Sequence, residues 1–178
     1  MVSDKNRLYI AYYSRGFHTA ILFAPKGPPF KNQNTTRYHI YYTVLESGEV
    51  EWHYEEKLVF PRTQKLVAVM FLFKITPGWT RRAIGDILQK VPVPVENQSK
   101  WECPHSNTQW KLVAAGAINP GSEGLHISAG EAEGVWRKGL TFAEPYRVKS
   151  WDPELQYALP TCDITGSSIR TEFPARSR

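Results

Sequence analysis

Residues 7–13 (RLYIAYY) form a β-branched and aromatic run that stops at Ser14-Arg15-Gly16, the pattern of a strand followed by a turn. Residues 17–24 (FHTAILFA) repeat the pattern and are closed by Pro25, and the polar, proline-containing stretch 26–36 reads as a loop. Residues 36–45 (TRYHIYYTVL) predict a third strand, which Ser47-Gly48 turns into residues 49–54 (EVEWHY), the clearest hairpin signal in the chain. Residues 66–75 (LVAVMFLFKI) are almost wholly apolar, as expected of a central strand covered on both faces. After Pro77-Gly78 the period changes: Trp79, Ala83, Ile84, Ile87, Leu88 and Val91 share one helical face, with Thr80 as N-cap and Pro92 and Pro94 as terminators.

A second helix is predicted from Cys103 or Pro104, since proline suits the first helical position, to Gly116, a suitable C-cap. Residues 121–134 read as loop, and residues 136–146 as a further element. From Trp151 to the last residue the chain is rich in Pro, Ser and Thr, with weak periodicity. The expectation is one α+β domain over residues 1–150, a small antiparallel sheet packed against helices. Residues 151–178 are expected as a C-terminal tail, laid over the domain or partly disordered.

A length of 178 residues suits one domain, and 42% hydrophobic with 22% charged residues argues against global disorder. Six tryptophans, nine tyrosines and eight phenylalanines suggest a strand-rich core or an aromatic cleft. The net charge of +5 is scattered, with no basic stripe or motif of the kind nucleic-acid binding needs. No apolar run approaches the ~20 residues of a membrane span. Residues 1–7 carry no apolar signal core, so a cytoplasmic location is expected. The two cysteines, Cys103 and Cys162, make no disulfide framework, and no metal-binding spacing occurs. Neither a metal nor an organic cofactor is expected.

Candidate chemistry centres on Cys103. A helix start stabilises negative charge, so a thiol there can become a nucleophilic thiolate. The competing reading is a buried structural thiol, since free cysteine is among the most buried residue types. A nucleophile needs a base from elsewhere in the fold. His18 opens a strand and His39 lies mid-strand, facing away from Tyr38. His53, His105 and His126 read as solvent-facing, and Cys162 as incidental.

The segments RLYIA (7–11), FHTA (17–20), RYH (37–39), LQKVPV (88–93) and WEC (101–103), with Trp110 beyond, resemble a set of small fungal proteins in order and spacing. That pattern is in turn similar to circularly permuted papain-like thiol enzymes, the lecithin–retinol acyltransferase-like and desumoylating-peptidase groups. The matching positions are His18, His39 and Cys103. The resemblance implies a permuted papain-like arrangement in which Cys103 attacks, His18 exchanges the proton and His39 orients His18 or polarises the substrate. It also implies acyl hydrolysis or transfer on a small-molecule or peptide substrate, in a setting such as fungal secondary metabolism. Arg37, Tyr38, Trp101 and Trp110 are candidate substrate contacts, although Arg37 and Tyr38 could equally fix cross-strand pairs.

The chain departs from that pattern at Thr19, Glu102 and Pro104. A carboxylate at 102 opposes thiolate formation, and proline at 104 removes one N–H from the helix start. These departures keep two alternatives open: a non-covalent cyclase or isomerase using the cleft histidines, and a non-catalytic binding member of the same fold.

Overall fold

The computed structural model describes residues 5–14, 18–28, 32–61, 65–75, 77–90, 129–147 and 158–173. In chain order the elements are β1 (Asn6–Tyr13), β2 (Thr19–Pro25), β3 (Thr35–Val44), β4 (Val50–Val59), β5 (Leu66–Lys74), α1 (Arg81–Leu88), α2 (Ala129–Arg147) and β6 (Thr161–Cys162). The strands form one sheet in the order β4-β3-β2-β1-β5-β6. Strands β1 to β4 are a meander, and β5 returns antiparallel to the free side of β1. The short β6 adds in parallel to β5, pairing Thr161 with Val69 and Cys162 with Met70, so the sheet is mixed. The architecture is α+β.

Alternation along β1 divides the core in two. Leu8, Ile10 and Tyr12 point to one face, where Ile84 and Leu88 of α1 and Val135 and Ala143 of α2 cover them. Tyr9, Ala11 and Tyr13 point to the other, where they pack with Ala20, Leu22, Val69, Leu159 and Phe173. Both described helices therefore lie on one side of the sheet. The apolar run of β5 serves both layers, as expected of a strand covered on both faces. Its register against β1 shifts between Leu8 and Tyr9 and again between Tyr12 and Tyr13. Each shift inserts an extra β5 residue, so the neighbours Leu72–Phe73 and Val67–Ala68 both face the helices.

Local signals explain the element ends. The Thr80 side chain accepts from the Ala83 N–H at 3.2 Å, capping α1 as the sequence predicts. Gly48, at φ 83°, closes the β3–β4 turn and donates its N–H to the Leu45 carbonyl at 2.9 Å. β4 runs on to Val59, further than expected, because the Glu55-Glu56-Lys57 stretch pairs through its backbone along an exposed edge. α2 starts inside the stretch expected to be loop. No described helix is long and apolar enough to cross a membrane.

Part of the segment expected as a tail is built into this domain. Leu159 and Phe173 are buried on the helix-free face, and Cys162, expected to be incidental, is fully buried in the helix-side core. The segment is held by charge as well as packing: Arg7 Nε donates to both oxygens of Glu172 at 3.1 Å, and Tyr9 Oη–H donates to Oε2 at 2.9 Å. Arg7 is 6% exposed, so removing its partner leaves a buried cation uncompensated. Glu172→Ala is expected to cost about 3 kcal/mol in urea unfolding, as for other broken buried pairs. A change within about 0.5 kcal/mol, the usual range of a surface substitution, would show that the strap is held by packing alone.

Two helical glycines separate close approach from coincidence. A Cβ on Gly139 would overlap Tyr12 Oη and lie 2.9 Å from Met70 Cε, both fixed in the core. On Gly85 the overlap is with the carboxylate end of Glu56, an exposed and flexible side chain. Gly139→Ala is expected to destabilise by about 2 kcal/mol through overpacking. Gly85→Ala should be neutral or stabilising, because the gain in helix propensity approaches about 1 kcal/mol. Chemical denaturation of both variants checks the contrast, and equal effects would sink it.

Candidate functional site

The helix-free face also carries the polar groups with the most unusual surroundings. Alternation places His39 and Arg37 opposite Tyr38, on the same side as Tyr13 and Ala20. His18 stands one residue before β2, and its carbonyl accepts from the Tyr13 N–H at 3.0 Å, closing the β1–β2 connection. The β2–β3 ladder runs from Phe23–Thr36 to Ile21–Tyr38, short of both histidines. Beyond it the two imidazoles meet: His18 Nε2 and His39 Nδ1 are 2.9 Å apart, with the rings nearly perpendicular at 82°.

The other nitrogen of His39 is also engaged. His39 Nε2 lies 2.6 Å from Glu55 Oε2, and Arg37 Nη2 donates to the same oxygen at 2.8 Å. Glu55 sits directly across from His39 in the β3–β4 ladder, so pairing register brings the two together. Aromatic rings extend the group in both directions, with Tyr13 5.5 Å from His18 and Tyr41 5.6 Å from His39, centroid to centroid. His53 stacks on Tyr41 at 5.2 Å and receives or donates a hydrogen bond with Thr43 Oγ1 at 2.9 Å.

Burial dominates the electrostatics. It drives the His18 pKa down to about 4, with further lowering from His39 and from the Arg37 cation. Burial lowers His39 as well, and the hydrogen bond and charge of Glu55 only partly restore it. Partial burial would raise Glu55, but hydrogen bonds from His39 and Arg37 outweigh it and hold the carboxyl below its ordinary range. Burial raises Tyr13 despite the Arg37 guanidinium beside its hydroxyl. At neutral pH the group therefore holds two neutral imidazoles, one carboxylate and one guanidinium. Such a set can accept a proton at one imidazole and spread the resulting charge toward the carboxylate.

His18 borders a small, shallow recess that opens to solvent, beside the last turns of α2. Its walls are mainly Tyr12, Tyr13, Val67, Leu140 and Ala143. Glu144 and Arg147, ion-paired at 3.3 Å, also line it. Among the described residues no cluster of three or more His, Cys, Asp or Glu side chains is arranged to hold a metal ion.

Of the residues expected from sequence, His18 and His39 come together and Arg37 joins them through Glu55. Tyr38 does not: it is 2% exposed on the helix face, where Oη–H donates to the Arg81 carbonyl at 2.8 Å. Adjacent strand residues face opposite ways, so Tyr38 cannot share a site with Arg37 and is corrected to a core residue. Cys103, Trp101 and Trp110 lie outside the described residues, as do Glu102, Pro104, His105 and His126. Cys162 is an inert comparison: burial first, and then the Asp163 charge, push its thiol up to about 12. Glu55 and Tyr41 were not singled out by sequence. Counting back from the Gly48 turn pairs residue 39 with residue 55, so the register carried the signal for Glu55.

A family model described as a family of unknown function (DUF6914) matches residues 5–145. No curated protein and no solved structure gives a match.

The pKa shifts give a pH dependence of definite sign. An unfolded His18 titrates near its ordinary 6.5, whereas the folded one stays neutral down to about 4. Between those values the unfolded chain binds more protons, so stability present above pH 6.5 is lost as pH falls toward about 4. His39 shifts in the same direction and adds to the loss. Thermal melts across this window should fall with acidification, and His18→Gln should flatten the slope. An unchanged slope in that variant would show that His18 is not held neutral.

Proposed function

The chain belongs to this family of unknown function, so its chemistry must be read from its own side chains, and we propose that it is a thiol-dependent acyl hydrolase or transferase. The observation that carries the reading is the 2.9 Å contact between the His18 and His39 rings, with Glu55 behind His39. A histidine backed by a second polar group is the arrangement that general acid–base catalysis uses to move one proton repeatedly. The order His18, His39, Cys103 along the chain is that of permuted papain-like enzymes, and an α+β sheet with its described helices on one side is compatible with it.

In this reading Cys103 supplies the nucleophile. Its sulfur bonds to the carbonyl carbon of an ester, amide or thioester while His18 takes the thiol proton. The carbon–heteroatom bond then breaks, His18 returns the proton to the leaving group, and water or an acceptor releases the acyl group. His39 orients His18 and shares its charge. Arg37 acts through Glu55, and its contact with substrate is not required. A cytoplasmic enzyme of small-molecule metabolism without metal or organic cofactor fits these parts.

A second reading rests on the same relay, because His18, His39 and Glu55 are complete without a thiol. A cyclase or isomerase would use His18 as acid and base with no covalent step, and would survive Cys103→Ala. The thiol enzyme would not.

The pH dependence of iodoacetamide alkylation, followed by mass spectrometry, separates them before any substrate is known. Cys103 is expected to react as a thiol with a pKa well below the ~8.5 of a free cysteine. It should be slowed in His18→Ala, while buried Cys162 stays unreactive. A Cys103 that reacts slowly and ignores His18 would remove the nucleophile and leave the acid–base reading.

A further inference from the structure

His18 has two ring nitrogens, and only one of them can be the proton acceptor. The hydrogen-bond chain behind it bears on which one. An ionised carboxylate accepts and cannot donate. Glu55 Oε2 therefore takes a hydrogen from each of its neighbours, from Arg37 Nη2 at 2.8 Å and from His39 Nε2 at 2.6 Å. A neutral imidazole carries one N–H, so His39 Nδ1 is a bare lone pair. His18 Nε2, 2.9 Å away, must then bring the hydrogen to that contact. The lone pair of His18 is left on Nδ1.

We propose that Glu55 is a positioning residue that fixes the direction of the whole chain and makes Nδ1 of His18 the proton-accepting atom. The inference rests on the reading of His18 as the acid–base group. The opposite direction would set the bare Nε2 of His39 against the Glu55 carboxylate at 2.6 Å, lone pair against charge, and would leave His18 with N–H on its outer nitrogen. Protonating Glu55 would relieve that clash, and Arg37 opposes it by sharing the same oxygen and favouring the ionised form.

The same direction gives the captured proton somewhere to go. When His18 Nδ1 takes a proton, the hydrogen on Nε2 can pass to His39 Nδ1. His39 is then an imidazolium, charge-paired to Glu55 through Nε2–H. One proton enters and one returns by the reverse path, with no other reactant. Arg37 limits the pull of Glu55, so the charge is not trapped on His39 and can return to the leaving group.

Long-range proton–nitrogen correlation spectra of protein labelled with nitrogen-15 histidine report which ring nitrogen is protonated. Signals are assigned with His18→Gln and His39→Gln. In the wild type at neutral pH both rings are expected to show N–H at Nε2 and a bare Nδ1. A bare Nε2 on either ring would overturn the proposal, and this arm needs no variant to fold. Glu55→Leu, whose fold is checked by thermal melting, is expected to lose the single pattern and populate both tautomers. Glu55→Gln keeps a carbonyl that can accept from both Arg37 and His39, and is expected to retain it. A Leu variant with the wild-type pattern would also overturn the proposal.

Hydrolysis of p-nitrophenyl acetate adds a functional arm. Turnover should drop about a hundredfold in Glu55→Leu, the lower end of what general acid–base catalysis supplies. A drop with both tautomers unchanged would make Glu55 a structural residue and count against the inference. The expected tautomers in a wild type that hydrolyses nothing would support the inference and count against the acyl reading alone.

Discussion

Because β1 is buried on both faces and paired on both edges, its alternation is the constraint from which the remaining structure follows. Every residue from Arg7 to Tyr13 is buried. Shifting β1 by one position would exchange Leu8, Ile10 and Tyr12 with Tyr9, Ala11 and Tyr13, and mismatch both layers together. The register to β2 and β5 is thereby fixed, and β3 and β4 inherit it through the meander. The site depends on this chain of registers. His39 meets Glu55 only because the hairpin pairs them, and it faces His18 only because Tyr38 is committed to the helix side.

The two faces have been put to different uses. The helix side is a continuous apolar layer in which Gly139 lets α2 approach Tyr12. The opposite side mixes aromatic packing with two partly buried ionic groups, Arg7–Glu172 at one end and the Arg37–Glu55–His39 set at the other. Both guanidiniums lie on β1 or β3 and face carboxylates from other segments. Buried charge of this kind adds little net stability but is costly to break, so it specifies which segments must meet. For Arg7 the partner segment is 158–173, which explains why a sequence with weak periodicity adds a sixth strand.

The surroundings of the imidazole pair are what support the proposed proton-handling role. Burial keeps both rings neutral, yet His18 remains only partly covered and borders a recess. A satisfied core histidine needs one partner on each nitrogen and nothing further. Here the satisfied ring is His39, and the ring beyond it is left with one nitrogen outside the chain of hydrogen bonds from Glu55. The polar group is not fully relaxed either, since Arg37 Nε is buried without a hydrogen-bond partner among the described residues. Incomplete satisfaction of this sort is uncommon in cores and is found where function has a claim on the residues.

Local chemistry was enough to determine much of this protein. Runs of apolar, β-branched and aromatic residues located β1, β2, β3 and β5, Ser47-Gly48 located the hairpin, and Thr80 marked the start of α1, because each signal acts within a few residues. The resemblance to permuted papain-like enzymes, and not a local signal, brought His18 and His39 into view together. Tertiary structure decided the rest. The glycines at 130 and 134 make the start of α2 resemble a loop, and further along the helix Gly139 leaves room for Tyr12, with which a side chain would collide. β6 has two residues and pairs in parallel, which leaves no period to read. Glu55 looks like one solvated edge charge among several until register sets it across from His39. Residue types and spacing specify which groups are available, whereas the contacts from His18 to His39 and from His39 to Glu55 exist only once three strands are aligned.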